Sequence, residues 1–507
     1  MSHQDRNLKE ECLNAHCLKK ALRWLFQGMD WTAIQFRKDC SWMPATFAAM
    51  ALLFVWSGET VLMDRFRRAL RIVDFLFPEG HTKKQASKKG PASRRQQKPS
   101  RGTKTRNQRK RLSATYQAFT KLLRKWTSTY VALFQVELRR RMPQLFADCL
   151  LIYGFLVFGC DGSRVDLPRT HSNEKAYAPS RKKISGQTPR AKRKRKRARR
   201  RQRRLAEQQP HSRKTDVPQL WLTLMFHLGT GLPWDWRIGP SDSSERAHML
   251  EMLATLPAQA MVTADAGFVG YEYLSAIQAS GRSLLIRVGS NVRLLRKLGR
   301  TQESRNRVYL WPDKTANQGR NPLVLRLVVA HNGRHPVYLV TNVLSEKRLT
   351  DSQVVKIYAK RWRLEVHYRH LKQTYQKRKL RSHRSENARA ELEWSLLGLW
   401  TMLLYTLVEV RKTGADPGKL SCAVAWREIK DTMNDYRQLT EPGERLQQRL
   451  QCAVTDDYQR RDKTSRDYCR KKHEQPAGAP RISVATKLQI MLAAKLCIEN
   501  AKKGLTA

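Results

Sequence analysis

Two short apolar runs constrain this chain most, because each reads as a buried strand that stops on an aspartate. Leu151-Ile-Tyr-Gly-Phe-Leu-Val-Phe-Gly-Cys160 halts at Asp161-Gly162-Ser163, and Ala260-Met-Val-Thr-Ala264 halts at Asp265-Ala266-Gly267. Runs of this length, rich in β-formers and closed by turn residues, predict central strands. Alone, either Asp-containing turn is only a strand terminator. Side by side, the two strands present both carboxylates at one sheet edge, the preferred place for a site in an open α/β sheet. Leu220 to Leu228 and Leu232 to Gly239 add a strand pair around a Gly-Thr-Gly turn, and His248 to Leu256 a short helix. The class is α/β.

Around this core the pattern changes character several times. Residues 1–80 are expected to be helical, with amphipathic or buried patterns over Cys17 to Phe26, Thr46 to Trp56 and Thr60 to Phe77. Residues 81–112 hold 13 Lys or Arg among 32 positions and no acid, a composition that buries no core and predicts a disordered basic linker. A helical connector follows over 113–149, its pattern clearest from Ser113 to Arg141. The first part of the core is assigned to 150–282, with a basic loop at 175–214. Within that loop, 12 of the 15 residues from Arg190 to Arg204 are Lys or Arg. Residues 283–345 are mainly β and read as an insertion, 346–412 as the last part of the core, and 413–507 as a helical C-terminal region.

Charge narrows the partner. The chain has 507 residues with 98 Lys+Arg against 43 Asp+Glu, a net +55, and a surplus of that size implies a polyanion, nucleic acid foremost. The longest uncharged apolar runs, Met43 to Trp56 and Leu396 to Val408, fall short of the roughly 18–20 residues that span a bilayer. No basic-then-apolar leader opens the chain, so the protein is expected to stay where it is made. Nine scattered cysteines without a CxxC pair point to reduced thiols acting as small hydrophobes.

A third acid lies in Tyr358-Ala-Lys-Arg361-Trp-Arg-Leu-Glu365-Val-His-Tyr-Arg-His-Leu-Lys372. On one continuous helix, at about 100° per residue, Tyr358, Arg361, Glu365 and Lys372 share a single stripe. That stripe is either a solvated face with i,i+4 ion pairs or a carboxylate beside groups that grip phosphate. The aspartates tip the balance: Asp161, Asp265 and Glu365, separated by 104 and 100 residues, could together hold two Mg²⁺ ions for phosphoryl transfer. His367 and His370 read as surface histidines without a role, Asp242 and Glu245 as a helix cap with first-turn acids, and Trp221, Trp234 and Trp236 as core packing.

The spacing Y-x2-R-x3-E-x6-K carried by Tyr358, Arg361, Glu365 and Lys372 resembles the signature of IS4-family DDE transposases. The likeness extends to Asp161-Gly-Ser with Leu167-Pro168 behind it and to Val262-Thr-Ala-Asp265-Ala-Gly-Phe268, so that it covers roughly residues 150–410. The resemblance implies an RNase H-like core with a β-rich insertion between helical terminal regions. It implies Asp161, Asp265 and Glu365 as catalytic metal ligands for two Mg²⁺ ions, with Mn²⁺ as a substitute. Tyr358, Arg361 and Lys372 would hold the phosphate backbone of the transposon end. The family stacks an insertion tryptophan on a flipped base, and here the nearest aromatic in the comparable stretch is Tyr338, with Trp311 farther upstream.

The activity implied is cut-and-paste transposition in the bacterial cytoplasm, on nucleoid DNA. Its partners would be element-end DNA bound by residues 1–80, target DNA, and a second copy of the chain in a synaptic homodimer. Two alternatives stay open: a nuclease that cuts without joining, and a non-catalytic DNA-binding repressor or architectural protein.

Overall fold

The computed structural model describes residues 13–37, 40–78, 114–179, 197, 200, 217–299, 303–331, 336–441, 443–455 and 478–502. The basic linker expected at 81–112 and nearly all of the tract at 190–204 lie outside them. The described chain forms two compact units, Met1–Arg141 with Gln373–Thr455 and Met142–Lys372 with Asp456–Ala507.

The first unit is helical. It contains α1 (Asn14–Phe26), α2 (Pro44–Trp56), α3 (Leu62–Leu76), most of α4 (Tyr116–Leu145), and the helices Ser385–Arg411 and Cys422–Asn434. Helix α2 begins with a proline at its first turn, where the missing N–H has no helical partner to lose. It is apolar all round and buried from Thr46 to Trp56, as expected of an interior helix. Ser385–Arg411 is its counterpart. Its buried hydroxyls are satisfied internally, Ser395 by the Glu391 carbonyl, Thr401 by Leu397 and Thr406 by Met402. The two helices approach closely at Gly398, whose carbonyl accepts from Trp56 Nε1 at 2.8 Å. A methyl group on Gly398 would stand 2.5 Å from Val55 Cγ2. Among the described residues no helix is long and apolar enough to cross a membrane.

The second unit is built on one ten-stranded sheet in the order β10-β6-β7-β8-β9-β5-β4-β1-β2-β3. Its heart is β1 (Leu156–Asp166), β2 (Gln219–His227), β3 (Leu232–Gly239), β4 (Ala260–Ala264) and β5 (Ser283–Val288). Strands β1, β2 and β3 form an antiparallel meander, while β4 runs parallel to β1 and β5 parallel to β4. Between them lie α5 (Glu245–Leu253), capped by the Ser244 side chain, and α6 (Tyr271–Ala279). The mainly β block after Ser283 contains, besides β5, the strands β8 (Leu323–His331) and β9 (Pro336–Thr341), and two short strands not foreseen, β6 (Arg293–Arg296) and β7 (Arg307–Leu310). They extend the central sheet through the β9–β5 pairing rather than making a sheet of their own. The C-terminal region, expected to be helical, contributes a strand too, β10 (Arg481–Val484), which pairs with β6 before the helix Lys487–Lys502.

One expectation needs correction. Strand β1 does not stop at Asp161 but continues to Asp166, because β2 pairs with it along that whole length, from Phe158↔His227 to Asp166↔Gln219. Only the β4 partner ends early, at Gly159↔Thr263. The loss of apolar residues after Cys160 therefore marks where one side of the strand opens, not where the strand ends.

Replacing Gly398 with alanine tests the close helix crossing. Overpacking of this kind costs about 1–3 kcal/mol, against about 1 kcal/mol returned by helix propensity, so a net loss on the order of 1 kcal/mol is expected in chemical denaturation. Unchanged or increased stability would show that the crossing has slack.

Candidate active site

The parallel register of β1 and β4 builds the site. Residue pairs from Leu156↔Ala260 to Gly159↔Thr263 are offset by 104 (260 − 156), the same offset that separates Asp161 from Asp265 (265 − 161). The two aspartates thus stand level on neighbouring chains, just past the point where β4 ends. Each carboxylate is fixed by a local backbone donor: Gly162 N–H to Asp161 Oδ1 at 2.8 Å, and Gly267 N–H to Asp265 Oδ1 at 2.8 Å. Asp265 is also the cap of the single turn Ala266–Phe268.

Glu365 reaches the same place from a helical segment whose start is well specified. Thr350 and Gln353 form a capping box at the head of α7 (Asp351–Lys360). Arg361 keeps helical backbone angles and leads into α8 (Trp362–Arg369), followed by a π-helical turn, His370–Thr374. The segment is therefore not the uniform helix assumed from the spacing, and the wider turn changes the direction of Lys372. Its ammonium meets Ser163 Oγ at 2.5 Å on β1. Tyr368, buried, bonds the carbonyls of Asp161 and Leu222 at 2.7 and 3.3 Å and ties α8 to the meander.

Arg361 and Glu365 form an i,i+4 ion pair at 2.7 Å, and the Arg361 guanidinium lies 5.6 Å from the centre of the Tyr358 ring. Among the described residues the buried Tyr358 hydroxyl and Arg361 Nε lack a hydrogen-bond partner. Burial pushes the Tyr358 phenol above its ordinary range.

The acids oppose one another. Burial raises Asp161 to about 6, opposed by the Gly162 N–H and Arg361 and reinforced by the charges of Asp265 and Glu365. A fourth acid belongs to the group. Glu245, first residue of α5, is raised to about 7 by burial and by Asp161 and Asp265. A Cβ on Gly162 would meet its carboxylate, so a larger residue there would require the Glu245 side chain to turn away. The sequence reading took Glu245 for a first-turn acid, which it also is. Such an all-oxygen acidic set suits a hard divalent cation. No three His, Cys, Asp or Glu side chains among the described residues are grouped as ready ligands, in keeping with Glu365 held by Arg361 and each aspartate by its own loop.

Other expectations fare unequally. His367 is not a surface histidine: it is 2% exposed, tilted against Phe226 at 4.9 Å, and burial lowers it to about 3, which keeps it neutral. Trp234 and Trp236 are buried as core. Trp311 is also core, 3% exposed in a cluster with Leu295, Tyr309 and Leu496, and its indole donates to the Arg320 carbonyl. It has no face left for a base. Tyr338 is half-buried on β9, paired with Val288 at the end of β5. This puts it at the sheet end where Asp265 lies, with no side-chain contact to the acids.

Residues 161–400 match a family described as the transposase DDE domain, a stretch just under half of the chain that begins at Asp161 and encloses Asp265 and Glu365. Over 219 residues the chain is 24% identical to the transposase InsG for insertion sequence element IS4 of Escherichia coli strain K12. That alignment covers 40% of this chain and about half, 48%, of the relative. Over this region the chain is similar to the IS4-family DDE transposases. Among solved structures, a piggyBac transposase synaptic complex with hairpin DNA is similar at a TM-score of 0.31 and 11% identity, covering 62% of this chain and 60% of that one.

Because Glu245 and Asp161 ionise at higher pH folded than unfolded, the folded chain holds protons that the unfolded chain has already lost. Stability contributed by these groups is therefore present at low pH and lost as pH rises from about 4 to about 7. Glu245→Gln should raise the thermal midpoint at pH 8 in metal-free buffer and leave it nearly unchanged at pH 4. An equal gain at both values would show that ionisation is not the cause.

Proposed function

We propose that the chain is a cut-and-paste transposase. It binds the terminal inverted repeats of its element, pairs them in a synaptic homodimer, and performs metal-dependent strand cleavage followed by strand transfer into target DNA. The observation that carries this reading is that Asp161 and Asp265 stand at the end of the paired β1 and β4 strands, with the charge of Glu365 and its Arg361 partner felt at Asp161. The order β5-β4-β1-β2-β3, an antiparallel meander flanked by parallel strands, supports an RNase H-like core.

In this reading Asp161, Asp265 and Glu365 hold two Mg²⁺ ions, for which Mn²⁺ can substitute. Bound there, the metals supply Lewis-acid activation of the attacking and leaving oxygens of phosphoryl transfer. Arg361, Tyr358 and Lys372 grip the phosphate backbone, with Arg361 and Tyr358 offering their unused donors. Glu245 packs against Gly162, next to Asp161 on β1. Tyr338 is the proposed stacking group, at the same sheet end but two strands from Asp265. The basic tracts add charge, which raises affinity and association rate without reading sequence. The place of action is the bacterial cytoplasm, on the nucleoid.

Asp161→Asn, Asp265→Asn and Glu365→Gln should each abolish Mg²⁺-dependent nicking of labelled element ends while leaving end binding largely intact. Nicking that survives one of these changes removes that residue from the site. With a target plasmid present, joined products support transfer, and linear fragments alone would mark a nuclease. Lys372→Ala should weaken end binding and make its salt dependence shallower by about one phosphate contact.

A further inference from the structure

In the helical unit, one face of α1 is basic and unpaired. The helix buries Ala15, Leu18, Leu22 and Leu25. On the other side stand His16, Lys19, Lys20 and Arg23, which at about 100° per residue fall within an arc of roughly 100°. Among the described residues none of these side chains has an ion-pair or hydrogen-bond partner. Lys19 lies 5.7 Å from the Phe77 ring, and His16, Lys20 and Arg23 are exposed. Like charges at i,i+4, here Lys19 with Arg23, destabilise a helix, so the row is unfavourable until an anion covers it.

The same face walls a hollow of about 610 Å³, into which Trp24, Phe26 and Phe77 bring aromatic surface. No acid lines it among the described residues. The volume is far larger than a phosphate needs and falls in the range of small-molecule sites. A membrane-binding helix would show a convex apolar face instead, whereas α1 buries its apolar face in its own unit. Basic side chains along an aromatic concavity fit a nucleic-acid strand, whose backbone takes the charges and whose bases stack.

We propose that this hollow binds a DNA strand, its phosphates along His16, Lys19, Lys20 and Arg23 and one unpaired nucleobase among the aromatic side chains. The occupant's being DNA rests on the transposase reading. The site itself is separate from the carboxylates.

The test uses the full chain without divalent metal. Fluorescence anisotropy compares a duplex carrying a short single-stranded overhang with the same duplex whose overhang lacks its bases. The intact overhang should bind tighter by on the order of tenfold. Ala45→Phe, which fills the hollow from the first turn of α2, should erase that preference without weakening the abasic duplex. The double variant Lys20→Ala, Arg23→Ala should weaken both duplexes alike and reduce the salt slope by about two. Equal binding of the two duplexes by the unaltered protein, or a preference that survives Ala45→Phe, overturns the proposal. So does tighter binding to phosphatidylserine vesicles than to DNA. Metal-dependent nicking by the same preparation separates the outcomes: nicking without an overhang preference overturns the hollow alone, while neither binding nor nicking overturns the transposase reading as well.

Discussion

The parallel pairing of β1 with β4 is the constraint from which the rest of the second unit follows. It is short, and its ending while β2 continues on the other side of β1 creates an opening in an otherwise closed sheet. Asp161 sits on the half-paired stretch, Asp265 at the lip of the strand that has ended, and the first turn of α5 brings Glu245 against the exposed backbone. From across the gap, α8 contributes Glu365 and is tied down by the Tyr368 hydroxyl. An opening of this kind leaves backbone and side chains addressable without leaving hydrogen-bonding groups stranded in a core.

Electrostatics then sets the opening apart from its surroundings. The chain is overwhelmingly basic, yet here acids crowd closely enough to raise one another's protonation. Among the described residues Arg361, paired with Glu365, offsets them, as do Arg164 and Arg246 beside Glu245. Such an arrangement is poor as a stability device, because buried like charges gain nothing from proximity.

Much of this was legible in the sequence, for physical reasons that differ by element. Strands β2, β3 and β4 were visible because apolar β-formers end in recognisable turns. The 104-residue spacing of the aspartates was visible too, but its meaning as a strand register was not, since register is a tertiary fact. The extension of β1 was missed because one-sided pairing tolerates Gly162, Ser163 and Arg164, which look like a turn. His367 looked exposed because its neighbours Arg369 and His370 are polar, while the π-turn and the Phe226 contact that bury it have no simple periodic signature. Glu245 reads from the sequence as a first-turn acid that could also stand beside the site, but nothing in a linear pattern reports that a helix start faces a glycine on another strand. Strand β10 escaped for the same reason: four residues acquire strand character only from their partner β6.

The contact between Gly162 and Glu245 has a consequence for how such a chain can diverge. A side chain at position 162 and a carboxylate at 245 cannot occupy the same space, so the two positions form one unit of inheritance. A change at 162 is tolerated only if 245 shortens or turns away, and the sequence then passes through an intermediate with a displaced acid. The route between alternative versions of this corner is narrow. Drift is therefore expected to be slow here even if neither residue ever touches DNA.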